Sequence, residues 1–189
     1  YKRTLSMPKI FYYHLITLGC QMTKNDSERI ESIFHSLKME PAKKVEDADV
    51  ILLNSCSVRQ SAEDRIFGLT KSFFKLKEKN PDLIIAVTGC MPGRDKDGKM
   101  RKKLPFVDLF FPTKEMIHLS RWISELNPKI VRSDDIKEHY LSLPPTIKQT
   151  TQAFVTIQTG CNHFCAYCVV PMARGLEVNR PLRQILAEI

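Results

Sequence analysis

Val50-Ile51-Leu52-Leu53-Asn54-Ser55-Cys56 decides the fold. Its four apolar residues run without a break, which is the pattern of a short strand buried on both faces. Such a strand needs a helical layer on each side, and the flanking sequence supplies the helices. Upstream, residues 10–18 are rich in β-branched and aromatic side chains and read as another strand. A helix is predicted after it from about Asp26. Asn25 and Glu28 have capping-box spacing, and Ile30, Ile33, Phe34 and Leu37 share one helical face. Downstream, a helix is predicted over 61–79, with Ala62, Ile66, Leu69, Phe73 and Leu76 along one side and Asn80-Pro81 as its stop. Residues 83–87 and 107–111 read as a third and a fourth strand. Thr113 is placed to cap a last helix striped by Leu119, Trp122, Ile123 and Leu126. Strands alternating with helices imply parallel pairing, so the expected class is α/β, a parallel-sheet three-layer sandwich.

This unit is expected to occupy 1–127. Residues 128–152, with Pro128, Pro144, Pro145 and many polar side chains, read as a linker. Beyond it, 154–158 is a new strand candidate and Pro181-Leu182 opens a helix, so 153–189 reads as the start of a second domain. That unit stops after about one strand and part of a helix. The chain also opens on Tyr1, so it reads as a truncated piece of a longer protein.

Hydrophobic residues make up 43% of the 189 and charged residues 26%, a globular composition. No apolar run approaches the roughly 20 residues that span a bilayer, and the first residues do not form a secretory signal. A cytoplasmic or organelle-matrix location is the expectation. The formal net charge of +8 makes a polyanion such as nucleic acid a reasonable partner class. Arg94 to Lys103 holds six basic residues among ten. Such a run is either an RNA contact or, more commonly, a solvated helix face.

Six cysteines in a chain with no export signal point to metal or redox chemistry rather than disulfides. Cys20, Cys56 and Cys90 each follow directly on a predicted strand. In a parallel sheet the carboxyl ends of the strands share one edge, where ligands bind, so three thiols distant in sequence should converge. Gly19 and Gly89 allow a close backbone approach beside them. Taken singly, each cysteine is an ordinary buried hydrophobe. The same position in three consecutive βα units favours a shared metal centre. Structural zinc wants four protein ligands, whereas three thiolates with one open position suit an iron–sulfur cluster. His14 lies within the first strand and is read as a packing residue, not as a fourth ligand.

The second set is Cys161-Asn162-His163-Phe164-Cys165-Ala166-Tyr167-Cys168, a C-x3-C-x2-C spacing on a loop after the 154–158 strand. Short spacings let three thiolates close around one cluster without refolding the chain. Zinc with His163 as fourth ligand is the rival, in a geometry cramped by the bracketing cysteines.

C-x3-C-x-aromatic-C resembles the signature of the radical S-adenosylmethionine enzymes. Several further stretches together resemble the methylthiotransferase family within that superfamily. They are Gly19-Cys20-Gln21-Met22, Asp26-Ser27-Glu28, Asn54-Ser55-Cys56-Ser57-Val58-Arg59, Val87-Thr88-Gly89-Cys90-Met91, Cys168-Val169-Val170-Pro171, Arg174-Gly175 and Arg180-Pro181. The resemblance implies two 4Fe-4S clusters, one on Cys20, Cys56 and Cys90 and one on Cys161, Cys165 and Cys168. The latter three are the catalytic set, at which S-adenosylmethionine is cleaved to a radical that abstracts hydrogen. Tyr167 packs near the cofactor's nucleoside in this scheme. The resemblance further implies sulfur insertion and methylation at a C–H bond, with the first cluster supplying or carrying sulfur. Residues 153–189 become the start of a radical α/β barrel.

Gln21-Met22 and Ser57-Val58-Arg59 look like the branch acting on isopentenyladenosine beside the tRNA anticodon. The other branches act on threonylcarbamoyladenosine tRNA or on a ribosomal protein. The implied partners are tRNA and an electron donor such as flavodoxin or ferredoxin, with no membrane. The short chain alone is expected to be inactive. Met91-Pro92-Gly93-Arg94 and Met172-Ala173-Arg174-Gly175-Leu176 depart from the family pattern. From another class, the rival is a non-catalytic iron–sulfur or zinc protein used for electron transfer or RNA binding.

Overall fold

The computed structural model describes residues 9–58, 60–130, 139–147 and 151–189. Arg59 and parts of the proposed linker lie outside the described residues.

Strand β1 (Phe11–Leu18) leads into helix α1 (Gln21–Ser36), which returns through a short edge strand, β2 (Met39–Pro41). Then come β3 (Val50–Ser55), α2 (Gln60–Lys79) and β4 (Ile84–Gly89). Two short helices, α3 (Cys90–Arg94) and α4 (Lys99–Lys102), precede β5 (Leu109–Pro112). A 3-10 turn over Thr113–His118 runs directly into α5 (Leu119–Leu126). The five strands form one parallel sheet in the order β2-β1-β3-β4-β5.

The decisive β3 run behaves as its composition requires. Val50 and Leu52 join the core cluster on one face of the sheet, Ile51 and Leu53 the cluster on the other, and all four are fully buried. The alternation follows from successive side chains pointing to opposite faces. Helix α1 brings Ile30, Ile33, Phe34 and Leu37 to the first cluster, where Phe34 stacks on Tyr13 at 4.3 Å. Helix α2 brings Ala62, Ile66 and Phe73 to the second. The three-layer α/β sandwich of the sequence reading is the observed fold.

Several boundaries differ from expectation. Helix α1 begins at Gln21, with Cys20 as its N-cap residue, five residues before the expected start at Asp26. Asn25 is inside the helix. Its Nδ2 does reach Glu28 at 3.2 Å, but it also donates to the Phe154 carbonyl at 2.7 Å. The polar residues that look like a cap are instead a buried docking face. Thr113 does not cap a helix: it starts the 3-10 turn, and its buried hydroxyl has no hydrogen-bond partner among the described residues. Leu126, expected on the α5 stripe, is exposed. Strand β2 had no sequence signal, being three residues long with a proline, which is tolerated because the strand is at an edge.

The segment after α5 is threaded into the core. Ile130, Tyr140, Leu141 and Leu143 are buried in the first cluster. Further on, β6 (Gln158–Thr159) pairs antiparallel with β7 (Val178–Asn179), two residues each. The expected strand over 154–158 is shorter because its upstream carbonyls are taken by side chains, that of Phe154 by Asn25 and that of Thr156 by Arg180. Helices α6 (Val170–Arg174) and α7 (Leu182–Glu188) complete the described chain, the latter starting after Pro181 as expected. No helix among the described residues is long and apolar enough to cross a membrane.

Candidate functional site

The carboxyl ends of β1, β3 and β4 are neighbours in register, Leu18 against Ser55 and Ser55 against Gly89. Adjacent strands are about 4.8 Å apart, so the residues just beyond them gather at one edge. Cys20, Cys56 and Cys90 stand there, one or two positions past those strand ends. Gly19 is required by the approach: a Cβ on it would lie 2.7 Å from the Cβ of Cys56. Gly89 turns the chain into α3 at a φ of +104°, where a side chain would be strained.

A buried polar layer lies directly under this edge. Asn54 Nδ2 donates to the Thr23 carbonyl and to Ser27 Oγ, each at 3.0 Å, and Ser27 also bonds Thr17 at 2.7 Å. Ser55 Oγ donates to the Thr88 carbonyl at 2.7 Å and accepts from the Met91 N–H at 3.3 Å. These bonds lock the loop starts of all three strands to one another.

The three thiols have different surroundings. Burial pushes the Cys20 thiol up. The N–H groups of Thr23 and Met22, the Thr23 hydroxyl and the Arg174 charge outweigh it and hold the pKa below the ordinary thiol value. This is the expected influence of a helix start on a thiol. Cys90 is pushed up, by burial first and also by Asp26 and Cys56, against the pull of Arg174. Cys56 is buried, and its sulfur accepts the Val58 N–H at 3.4 Å.

Cys161, Cys165 and Cys168 lie on one loop between β6 and α6, Cys165 exposed and the other two half-buried. The Cys168 N–H donates to the Cys165 carbonyl at 2.9 Å, which closes the turn, and Phe164 adopts a positive φ of 47° within it. Tyr167 is 93% exposed and packs against nothing in the described loop.

The second loop is docked beside the first edge by residues that sequence reasoning did not single out. Arg174 donates to Asp26 at 2.5 Å, and both side chains are buried. Asn25 and Arg29 on α1 hold the segments on either side. Thr156 Oγ1 donates to Asn25 Oδ1 at 2.7 Å. Fully buried Arg29 donates to the carbonyls of Leu141 and Leu143 and pairs with Glu188 at 3.1 Å. Arg180 completes the cluster on Glu188 at 2.7 Å. Tyr140 donates to Thr159 at 2.8 Å, two residues before Cys161. The only sequence signal for these contacts was that Asp26, Arg174 and Arg180 fall within family-like stretches.

Four of the six cations in the basic run are engaged within the chain. Arg94 forks onto Glu63 at 3.1 and 2.7 Å, Lys99 pairs with Asp97 at 2.8 Å, Arg101 donates to the Leu104 and Val107 carbonyls, and Lys103 lies over the Phe67 ring.

Among the described residues no three His, Cys, Asp or Glu side chains are grouped tightly enough to hold a single metal ion. An iron–sulfur cluster spreads its thiolates over separate irons, so a looser trio suits it better than it suits zinc. The donor chemistry of three thiols at one sheet edge fits such a group, and Gly19 is what lets the Cys20 turn pack so closely against Cys56.

The profile of uncharacterized protein family UPF0004 matches residues 12–112, more than half of the chain. The chain belongs to this family. The matched region is the parallel sheet with all three strand-end cysteines, so the UPF0004 match coincides with the first candidate site. Similarity extends further in individual relatives. A tRNA-2-methylthio-N(6)-dimethylallyladenosine synthase of Dictyoglomus thermophilum is 40% identical over 187 residues, 97% of this chain and 42% of the relative. The proteins of the same name from Moorella thermoacetica and Desulforamulus reducens are 40% and 39% identical over 94% and 100% of this chain, and 41% and 42% of their own length. The chain therefore spans about four-tenths of the length of the relatives it matches.

Proposed function

We propose that the full-length protein is a tRNA methylthiotransferase that adds sulfur and a methyl group at C2 of N6-isopentenyladenosine beside the anticodon. One observation supports this reading: Cys20, Cys56 and Cys90 follow three neighbouring strand ends, and the loop that carries Cys161, Cys165 and Cys168 is tied to that edge through Asp26 and Arg174. The names of the relatives, similar over nearly the whole chain, support the same activity and the tRNA substrate.

In this reading Cys20, Cys56 and Cys90 hold one 4Fe-4S cluster, and Cys161, Cys165 and Cys168 hold the other. Three thiolates leave one iron of each open. When bound, the clusters supply the electron that cleaves S-adenosylmethionine at the second set and the sulfur at the first. The chain's own residues set the stage. The polar layer under the strand ends fixes where the first three thiols stand. Exposed Tyr167 offers an open aromatic face to a nucleoside. Arg174 and Asn25 keep the second loop beside the first edge. Residues 1–127 form the family domain, 128–152 the connection and 153–189 the start of the radical barrel. The reductant is a small electron carrier of the flavodoxin or ferredoxin class, and the enzyme works in the cytoplasm.

The test is to delete the gene, digest total tRNA to nucleosides and look by mass spectrometry for 2-methylthio-N6-isopentenyladenosine. Its loss, with accumulation of the unthiolated nucleoside, is expected. Unchanged levels, with a methylthio group lost from a ribosomal protein instead, would transfer the assignment to that branch.

A further inference from the structure

One buried cation belongs to neither cysteine set yet bears on both. Arg174 is the last residue of α6, the helix that follows Cys168, and its side chain is only 7% exposed. Its backbone is held on two sides. Gly93 on α3 lies so close to α6 that a Cβ there would sit 1.9 Å from the Ala173 carbonyl oxygen. On the other side the Cys161 N–H donates to the Gly175 carbonyl at 3.2 Å. From this anchored position the guanidinium reaches back to the strand-end edge, and Nη2 donates to Asp26. Its Nη1 is also buried and makes no hydrogen bond of regular geometry among the described residues; the Tyr140 hydroxyl and the Cys90 thiol are the groups beside the guanidinium. A buried donor without a full-strength acceptor can be satisfied by a further group. Asp26, Cys90 and Tyr140 act on the guanidinium, and its charge acts in turn on Cys20, so two of the three first-set cysteines lie within its electrostatic reach.

We propose that Arg174 is a positioning residue for the iron–sulfur group on Cys20, Cys56 and Cys90: Asp26 fixes its Nη2, and Nη1 donates to a sulfur of that group. The inference rests on the proposed function's reading of these cysteines as a cluster site. Sulfur bearing negative charge accepts N–H bonds, and such bonds raise a cluster's reduction potential by favouring its more negative, reduced state. Because the cation sits on the helix following the second set, the first group gains its donor only when the second loop is docked. The fold thereby makes the electrochemistry of one site depend on the position of the other.

The test uses the full-length protein with Cys161, Cys165 and Cys168 all replaced by Ala, reconstituted anaerobically with iron and sulfide. The midpoint potential of the remaining cluster is then followed by electron paramagnetic resonance. Arg174→Met keeps the side chain's length but removes charge and donors. It is expected to make reduction about tenfold less favourable, about 59 mV lower for a one-electron couple. Arg174→Lys should recover most of the shift. An unchanged potential in Arg174→Met with iron retained overturns the proposal. If that variant loses its iron, Arg174→Gln decides, since it removes the charge but keeps a side-chain amide: a lowered potential supports the proposal and no shift overturns it. Failure of Cys20, Cys56 and Cys90 to hold any cluster without these substitutions refutes the cluster reading itself. That outcome is separate from an unshifted potential, and the proposal falls with it.

Discussion

Replacing Arg29 by Met should be among the most damaging single changes in the chain. The side chain is 0% exposed, and its guanidinium bonds two segments distant in sequence as well as Asn25 on its own helix. Nε donates to Asn25 Oδ1 at 3.2 Å, Nη1 to the carbonyls of Leu141 and Leu143, and Nη2 to both oxygens of Glu188 at 3.2 and 3.1 Å. Met fills similar volume but satisfies none of these groups. Two carbonyls lose their donor, each at about 1–3 kcal/mol if left unpaired. Glu188 keeps Arg180 at 2.7 Å, so it is not stranded, which limits the electrostatic part. Asn25 Oδ1 likewise keeps the Thr156 hydroxyl. The total is therefore about 3–5 kcal/mol, the usual cost of breaking a buried charged network by removing one partner. Against a stability of roughly 5–15 kcal/mol that is a large fraction. Measured by urea unfolding, with a slope near 2 kcal/mol per M, the midpoint should fall by roughly 1.5–2.5 M. Arg29→Lys should recover little, because an ammonium has no planar fork to serve three directions at once. A loss below about 1 kcal/mol for Arg29→Met, with an unchanged slope, would refute the claim that this cation holds the later segments on α1.

Gly93→Ala puts a methyl group into the Ala173 carbonyl. It should cost about 1–3 kcal/mol by overpacking and speed limited proteolysis between β6 and α6; unchanged cleavage there would show that α6 yields without cost. Burial lowers the His139 pKa below 6.5, and its neutral Nδ1 accepts the Leu141 N–H at 3.3 Å. The unfolded state therefore takes the proton first, so this contribution is present above about pH 6.5 and is lost as pH falls through the folded pKa. His139→Asn, which keeps an acceptor without titrating, should flatten that part of the stability profile between about pH 7.5 and 5.5. In the reconstituted full-length protein, Cys56→Ala and Cys165→Ala should each remove about half of the iron, from the two different sets. An iron count unchanged by either substitution would show that its set is wrongly assigned.

Local pattern carried much of this protein. The unbroken run at Val50–Ser55 required a doubly covered strand, and the stripe Ile30, Ile33, Phe34 and Leu37 required a helix facing a core. Both are properties of a few neighbouring residues, which is why they are readable without a structure. The gathering of Cys20, Cys56 and Cys90 was legible for a related reason, since parallel pairing puts all strand ends on one edge regardless of what fills the loops. The loop that carries Cys161, Cys165 and Cys168 was legible as one unit because its spacing is short and local. The structure alone decided what joins the two sets. Asp26 and Arg174 are 148 positions apart, and Arg29 and Glu188 are 159 apart. Residues Asn25 to Arg29 look like a helix start because short polar side chains cap helices. Here α1 begins earlier, and the later chain segments need buried partners on it, so the same side chains turn inward. No local pattern distinguishes a capping asparagine from a docking one. Packing makes that choice, because a buried polar group is tolerated only where a distant partner arrives to meet it.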